Sequence, residues 1–285
     1  MQNIIKDLSL VCATLGSDKK ISKLLESILV GSHIPSEIIL VTYDLLTIKE
    51  IIEKLNLKGV DVRIIKALRA AQVYQRNLGI NAARGQYIIQ CDDDIQMFID
   101  SIGELYKLIT SKNFTVVSPR VIMTDGKSIY LKNKYSEIAN KFIFLIFNFR
   151  WPKNSLQLSI SGRNYAPVDL IKEARNEWLP SCLIYNKELY KLATTYEDQS
   201  GKGYFEDIIF THSLYNIGVE LMVANHVFFL HPKIDSIGFN SLFAIFKKQL
   251  IVCRIFKLNK YAAYLDMFLY IIFLSLLKVK RCFSI

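Results

Sequence analysis

Between residues 8 and 91 the sequence alternates short apolar runs with amphipathic segments, and this alternation restricts the fold more than any other feature. The apolar runs are rich in β-branched residues, as buried strands are: LSLVCATLG, SEIILVTYD, VDVRIIKA and QYIIQC. The segments between them, such as DKKISKLLESILVGS, repeat apolar residues every three or four positions, as amphipathic helices do. Strands and helices that alternate about every 15 to 20 residues predict an α/β, Rossmann-like, mostly parallel sheet flanked by helices, with ligands at the carboxyl ends of the strands.

The alternation weakens after Ser118, and regular patterns return in the last third of the chain. EWLPSCLIYNKELYKL precedes FEDIIFTHSLYNIG, which has the pattern of a helix, and VELMVANHVFFLHP, which has the pattern of a strand. No clear linker occurs before about Ser236. We therefore expect one domain over residues 1–235 and a separate tail over residues 236–285.

The tail carries most of the positive charge of the chain. The net charge is +10, and the residues from Ser241 onward contribute +7, with eight Lys and Arg against the single acid Asp266. Lys and Arg alternate there with apolar clusters, which favours an anionic membrane surface over nucleic acid. The longest uncharged apolar run, residues 267–277, has 11 residues and is too short to span a bilayer. The tail is predicted to form amphipathic helices in the membrane plane, and a helical subdomain packed on the domain is the alternative.

The cysteines predict reduced thiols, as in a cytosolic protein. The five cysteines are scattered and form no CxxC pair, which disfavours a zinc site or a disulfide framework. The first residues carry too short an apolar run and too little positive charge for a signal peptide. We expect the protein at the cytoplasmic face of the membrane, as a peripheral or monotopic protein.

Three aspartates, Asp92, Asp93 and Asp94, directly follow the predicted strand QYIIQC. Like charges this close destabilise one another unless a cation lies among them. Carboxylate oxygens in an open cluster suit Mg²⁺ or Mn²⁺, which can share their coordination shell with substrate phosphates. An acidic turn that caps a helix is the alternative for these residues considered by themselves.

The segment QRNLGINAARGQYIIQCDDDI resembles the family-two glycosyltransferases, which have the GT-A fold. In that family a helix of the form aRNxGixxAxG leads into a strand that ends in a DxD-type aspartate cluster. The matching residues here are Arg76, Asn77, Gly79, Ala83, Gly85 and Asp92 to Asp94. The first strand with Thr14, the PSEIILV strand and a late Glu-Asp pair also match in order, so the resemblance covers roughly residues 8–232.

The resemblance implies a role for each matching residue. Asp207 would be the base that deprotonates the acceptor, with Glu206 as the neighbouring alternative, and Asp94 with His231 would hold Mg²⁺ or Mn²⁺. The expected donor-binding residues are Thr14, Asp44, Arg76, Asn77, Asp92 and Asp93, and the expected acceptor-site residues are Trp178 and Ser181. Relatives often end the second strand with VDD or VDQS, whereas here Asp44 is displaced by two positions.

Structural roles compete with some of these assignments. A histidine at a strand end, a packed tryptophan, a solvated helix arginine and acids in a first helical turn are all common in proteins without catalytic meaning. They are the alternatives for His231, Trp178, Arg76 and the Glu206–Asp207 pair.

The function implied is that of an inverting, metal-dependent glycosyltransferase. It would move a sugar from a nucleotide-sugar donor to a glycan or lipid-linked glycan acceptor, in surface polysaccharide synthesis and without a nucleic-acid partner. One alternative is a sugar-phosphate nucleotidyltransferase, which needs a Gly-rich basic phosphate loop that ATLGSDKK matches poorly. Another is a non-catalytic membrane-bound glycan-binding protein, against which the complete set of Asp92, Asp94 and Asp207 argues.

Overall fold

The computed structural model describes residues 2–15, 18–55, 59–112, 115–124, 134–167, 175–196, 201–232 and 239–282. The chain divides into two compact units. The first unit contains residues 1–129 and 178–234, and the second contains residues 130–177 and 235–285. The predicted domain boundary at residue 235 stays a prediction, and the structure adds that residues 130–177 group with the C-terminal segment.

The described residues form strands and helices in the following order along the chain. The strands are β1 (Asn3–Thr14), β2 (His33–Thr42), β3 (Asp61–Lys66), β4 (Tyr87–Asp92), β5 (Gln96–Met97), β6 (Thr115–Met123), β7 (Gln157–Leu158), β8 (Asn164–Tyr165), β9 (Leu183–Asn186) and β10 (Glu220–His231). The helices are α1 (Asp18–Leu29), α2 (Leu45–Lys54), α3 (Gln72–Ala82), α4 (Ser101–Ser111), α5 (Lys134–Asn148), α6 (Lys187–Leu192), α7 (Glu206–Asn216), α8 (Phe239–Ile255) and α9 (Lys260–Cys282).

The first unit is built on a mostly parallel sheet, as the alternating pattern predicts. Within the described residues the strand order is β3-β2-β1-β4-β9-β6-β10-β5. The pairs β2–β3, β1–β2, β1–β4 and β6–β10 are parallel. The short strand β9 lies antiparallel between β4 and β6, and β5 lies antiparallel to β10. This order brings the carboxyl ends of β1 and β4 side by side.

Two glycines of the motif that leads into β4 allow close backbone approach. A Cβ on Gly79 would lie 2.5 Å from Val11 Cγ1 and 3.0 Å from Val41 Cγ2, so α3 packs directly on β1 and β2. A Cβ on Gly85 would lie 2.6 Å from the backbone nitrogen of Ser9. A larger residue at either position would push the helix or the start of β4 away from the sheet.

The second unit packs around a buried acid. Asp266 on α9 has no exposed surface. Its carboxylate accepts hydrogen bonds from Ser161 Oγ at 2.8 Å, from Arg163 Nε at 2.7 Å and from Gln249 Nε2 on α8 at 3.0 Å. Gly162, between Ser161 and Arg163, has φ of 75°, and a Cβ there would lie 2.8 Å from the sulfur of Cys253. A buried charge with three partners therefore fixes α8 and α9 to the β7–β8 hairpin.

The tail is helical over α8 and α9. Among the described residues, no helix combines the length and the apolar character required to cross a bilayer. The membrane association of the tail stays a prediction.

Candidate active site

Arg76 on α3 joins two acids that are far apart in sequence. Its buried guanidinium forms ion pairs with Asp92, the last residue of β4, and with Glu206, the first residue of α7. Gln72 Nε2 donates a second hydrogen bond to Asp92 Oδ1 at 2.9 Å, and Ser181 Oγ donates to Asp92 Oδ2 at 2.9 Å. The Asp92 carboxylate is therefore held in a fixed orientation at the carboxyl end of the sheet.

Asp93 and Asp94 contact a different set of partners. Thr14 Oγ1, at the end of β1, donates to Asp93 Oδ2 at 2.7 Å. Burial raises the pKa of Asp93, and the hydrogen bond from Thr14 acts in the opposite direction. Asp94 lies between two basic side chains, with Lys20 Nζ 3.0 Å from its Oδ2 and His231 Nε2 3.4 Å from its Oδ1. The predicted metal residues Asp94 and His231 are thus in contact with each other.

The residues present fit a divalent cation that is only partly coordinated by protein. Within the described part of the chain, no group of three or more His, Cys, Asp and Glu side chains is arranged to hold a metal. Asp94 and His231 offer one carboxylate and one imidazole. Mg²⁺ and Mn²⁺ accept such sparse protein ligation because waters and substrate phosphates complete their coordination shell.

Asp207 has the environment of a proton acceptor. It lies half-buried in the first turn of α7, and burial raises its pKa to about 6. Its Oδ1 accepts a hydrogen bond from the Ile208 backbone N–H at 2.9 Å. The preceding Phe205 adopts φ of 62°, a left-handed conformation that costs energy for a bulky residue and is concentrated at functional sites. A carboxylate whose pKa is near neutrality is suited to accept a proton from a hydroxyl.

Glu206 has the opposite environment. It is buried, and its charge is offset by the ion pair with Arg76. A base has to be reached by the proton it removes, whereas this carboxylate is occupied by a guanidinium. The contacts therefore favour Asp207 over Glu206 as the base, and both assignments stay predictions.

Three predicted site residues do not join the carboxylate cluster. Asp44 caps α2, where its carboxylate accepts hydrogen bonds from Thr47 Oγ1 at 2.7 Å and from the Thr47 backbone N–H at 3.4 Å. Asn77 Oδ1 accepts from the hydroxyl of Tyr190 at 2.7 Å. Trp178 is buried in the core. These contacts are those of a helix cap, a buried amide and a packed aromatic.

Sequence analysis did not identify Lys20 and Gln72 as members of the site. Gln72 lies one helical turn before Arg76, so the two side chains project from the same face of α3, and that spacing could have indicated it. Gln72 Oε1 also accepts from the Gly203 N–H at 3.0 Å, which connects the segment before α7 to Asp92. Lys20 has no comparable signal because α1 contains several lysines with the same local pattern.

Two solved structures with bound nucleotide ligands are similar to this chain in fold. S. aureus TarS 1–349 in complex with UDP-GlcNAc superposes with a TM-score of 0.58 at 15% identity, over 92% of this chain and 70% of that one. GalNAc-T7 with UDP, GalNAc and Mn²⁺ superposes with a TM-score of 0.61 at 14% identity, over 88% of this chain and 48% of that one. The similarity confirms the predicted GT-A class of fold.

The family assignment comes from the sequence. The model of glycosyl transferase family 2 matches residues 9–163, more than half of the chain, and the chain belongs to that family. No curated protein sequence matches it significantly. The chain is a glycosyltransferase, as the RNLGINAARG motif and the aspartates after β4 predict.

Proposed function

We propose that this glycosyltransferase is an inverting, metal-dependent enzyme that moves a sugar from a nucleotide-sugar donor to a glycan or lipid-linked glycan acceptor. The observation that carries the proposal is the pair of environments at the start of α7. The Glu206 charge is neutralised by Arg76, whereas the pKa of Asp207 is raised to about 6 by burial. Asp207 can therefore take the proton of an acceptor hydroxyl as that hydroxyl attacks the anomeric carbon.

The donor would bind at the carboxyl ends of β1 and β4. Thr14, Asp92 and Asp93 surround this end of the sheet, and Arg76 holds Asp92 in place. Asp94 and His231 would hold Mg²⁺ or Mn²⁺, which would neutralise the charge that gathers on the nucleoside diphosphate as it leaves. The structures of TarS with UDP-GlcNAc and of GalNAc-T7 with UDP, GalNAc and Mn²⁺ support uridine nucleotides as the first donors to examine.

The proposed acceptor and location follow from the tail. Its positive charge and apolar clusters support a location at the cytoplasmic face of an anionic membrane, as a peripheral or monotopic enzyme. An enzyme held there would reach a lipid-linked glycan more easily than a soluble one. We therefore propose a step in the synthesis of a surface polysaccharide.

The test is the release of nucleoside diphosphate from UDP-, GDP- and TDP-sugars in the presence of Mn²⁺, Mg²⁺ or EDTA. We expect release with a divalent ion and none with EDTA, and turnover that survives EDTA would refute metal dependence. Asp207→Asn should lower transfer by about 10²- to 10⁴-fold and leave donor binding nearly unchanged, because a base acts only in the transition state. Asp94→Asn should abolish the metal-dependent rate.

A matched control separates these effects from the loss of any carboxylate. Glu53 on α2 is exposed. Glu53→Gln should leave both binding and transfer unchanged.

Release of pyrophosphate from a nucleoside triphosphate and a sugar phosphate would instead indicate a nucleotidyltransferase. Sugar binding without any turnover would indicate a glycan-binding protein.

A further inference from the structure

Over residues 260–272, where its side chains are described, helix α9 has exposed apolar residues on one side and a buried acid on the other. Its exposed residues recur along one side of the helix: Tyr261, Tyr264, Leu265, Phe268, Ile271 and Ile272. Its opposite side is buried through two alanines and the charged residue Asp266. A surface helix of a soluble domain has the reverse pattern, with its polar side facing water.

The end of α5 has a second exposed apolar strip. Phe142 and Ile146 are about half exposed, and Phe149, just after the helix, is 91% exposed. Trp151 is also exposed, and its ring contacts that of Phe142 edge-to-face with centroids 5.4 Å apart. Exposed aromatic side chains that are clustered in this way indicate a contact surface rather than scattered surface residues.

The two strips lie on adjoining helices of the second unit. Ile143 and Phe147 of α5 form one buried cluster with Ala262 of α9, and Leu269 packs against it. Each helix thus uses one side for this contact and leaves another side, rich in aromatic residues, uncovered. We call the most exposed of these residues the α5–α9 face; they are Phe142, Ile146, Phe149, Trp151, Tyr261, Tyr264, Leu265 and Phe268.

The exposed charges on the α8 and α9 side of this face have one sign. Asp266 is the only acidic residue of the sequence after position 240, and it is buried against Arg163. The exposed charged side chains among residues 243–272, which cover the described side chains of α8, the following turn and α9, are therefore all basic: Lys247, Arg254, Lys257 and Lys260. A second copy of the chain would bring two positive surfaces together, which repulsion disfavours. Anionic lipid headgroups complement both the charge and the apolar side chains.

We propose that the α5–α9 face docks in the plane of an anionic bilayer, with its aromatic side chains at the headgroup level. Tyrosine and tryptophan are enriched at that depth because their rings are apolar and their polar atoms remain hydrated. The face extends the predicted membrane contact from the tail to α5 and to Trp151. It does not depend on the donor or on the chemistry of transfer.

The experiment is co-sedimentation of the full chain with vesicles of phosphatidylcholine alone and with about 30% phosphatidylglycerol added. We expect binding to the anionic vesicles that high salt weakens without abolishing. Phe149→Ser combined with Phe268→Ser should lower the partition coefficient by about tenfold or more, since two large side chains lose their place in the bilayer. Phe149→Ser alone, at the most exposed position, is the second variant if the double one folds poorly.

The matched control removes equal apolar exposure from the first unit. Leu46 and Leu68 are 76% and 84% exposed. Leu46→Ser combined with Leu68→Ser should change the partition coefficient by less than about twofold. No binding to anionic vesicles, or equal binding by the face variant and the wild type, would overturn the proposal. So would a dimer in sedimentation velocity that the face variant disrupts without losing vesicle binding, because the face would then serve self-association. Donor turnover is measured in a separate assay, so the vesicle results do not decide whether the protein transfers a sugar.

Discussion

Asp207→Asn and Glu206→Gln are the same chemical change at adjacent positions of α7, yet the structure predicts effects of opposite sign on the free energy of unfolding. Burial disfavours the ionised form of Asp207, and an amide at that position cannot ionise. The amide keeps an oxygen that can accept the Ile208 N–H. Glu206 instead offsets the charge of the buried Arg76, and its amide would leave that guanidinium with Asp92 as its remaining ion-pair partner among the described residues.

The magnitudes follow from the pKa and from the burial. A rise of the Asp207 pKa from an ordinary 3.8 to about 6 penalises the folded state by about 3 kcal/mol once the group is ionised, at roughly 1.4 kcal/mol per pKa unit. Because Asp207 keeps some contact with water, which weakens the penalty, we expect Asp207→Asn to raise the free energy of unfolding by about 1–3 kcal/mol. Glu206→Gln should lower the free energy of unfolding by about 3 kcal/mol, in the range for a buried ion pair that loses one partner.

The pH dependence gives the gain a distinctive signature. The folded pKa of Asp207 lies above the unfolded one, so the penalty is absent below about pH 4, grows up to about pH 6 and is complete above it. Urea unfolding in EDTA buffer should show the stabilisation by Asp207→Asn at pH 8 and little of it near pH 4. Glu53→Gln should show neither effect. A loss of stability in Asp207→Asn at pH 8, or a gain that is equal at both pH values, would refute the reasoning.

Three further predictions concern the first unit. The kcat/KM for transfer should rise with pH through about 6 and then level off, because the base form of Asp207 is required; a profile that falls over that range would contradict the assignment. Lys20→Gln should tighten Mn²⁺ binding, measured by electron paramagnetic resonance of the free ion, because Lys20 Nζ lies 3.0 Å from Asp94 and competes with the cation. Lys23→Gln on the same helix is the control. Equal Mn²⁺ affinities of the wild type and Lys20→Gln would exclude competition by Lys20. Gly85→Ala should lower the free energy of unfolding in urea by about 2 kcal/mol or more, because the Cβ of the alanine would meet the backbone of β1. An unchanged free energy of unfolding would show that β4 can shift.

The sheet of the first unit was largely predictable because its signals are local. A buried strand and an amphipathic helix each leave their period in a short stretch of sequence, and β1 to β4 alternate with α1 to α3 without interruption. The boundaries shifted where a side chain acts as a cap. The pattern places the second helix from Thr47 onward, whereas α2 begins at Leu45 because Asp44 caps it.

The antiparallel strand β9 was not predictable in the same way. It has four residues and pairs with β4 and β6, which lie about 60 to 100 positions earlier in the sequence. Its position depends on tertiary pairing, which leaves no period in the local sequence. The site divides similarly. The family motif indicated Asp92 and Asp207, whereas the contact of Lys20 with Asp94 depends on which lysine of α1 the fold turns toward β4.

The tail shows how a buried charge can reconcile two interpretations that the sequence presents as alternatives. Asp266 interrupts the apolar run of α9. Both interpretations of the tail, a packed subdomain and a membrane-bound segment, have to account for this acid. The structure buries Asp266 against Arg163, Ser161 and Gln249, so the acid belongs to the internal packing of the second unit. The same burial removes the only negative charge from the outer surface of α8 and α9. Packing inside the unit thus leaves an apolar, positively charged exterior, which is the requirement for docking on an anionic bilayer.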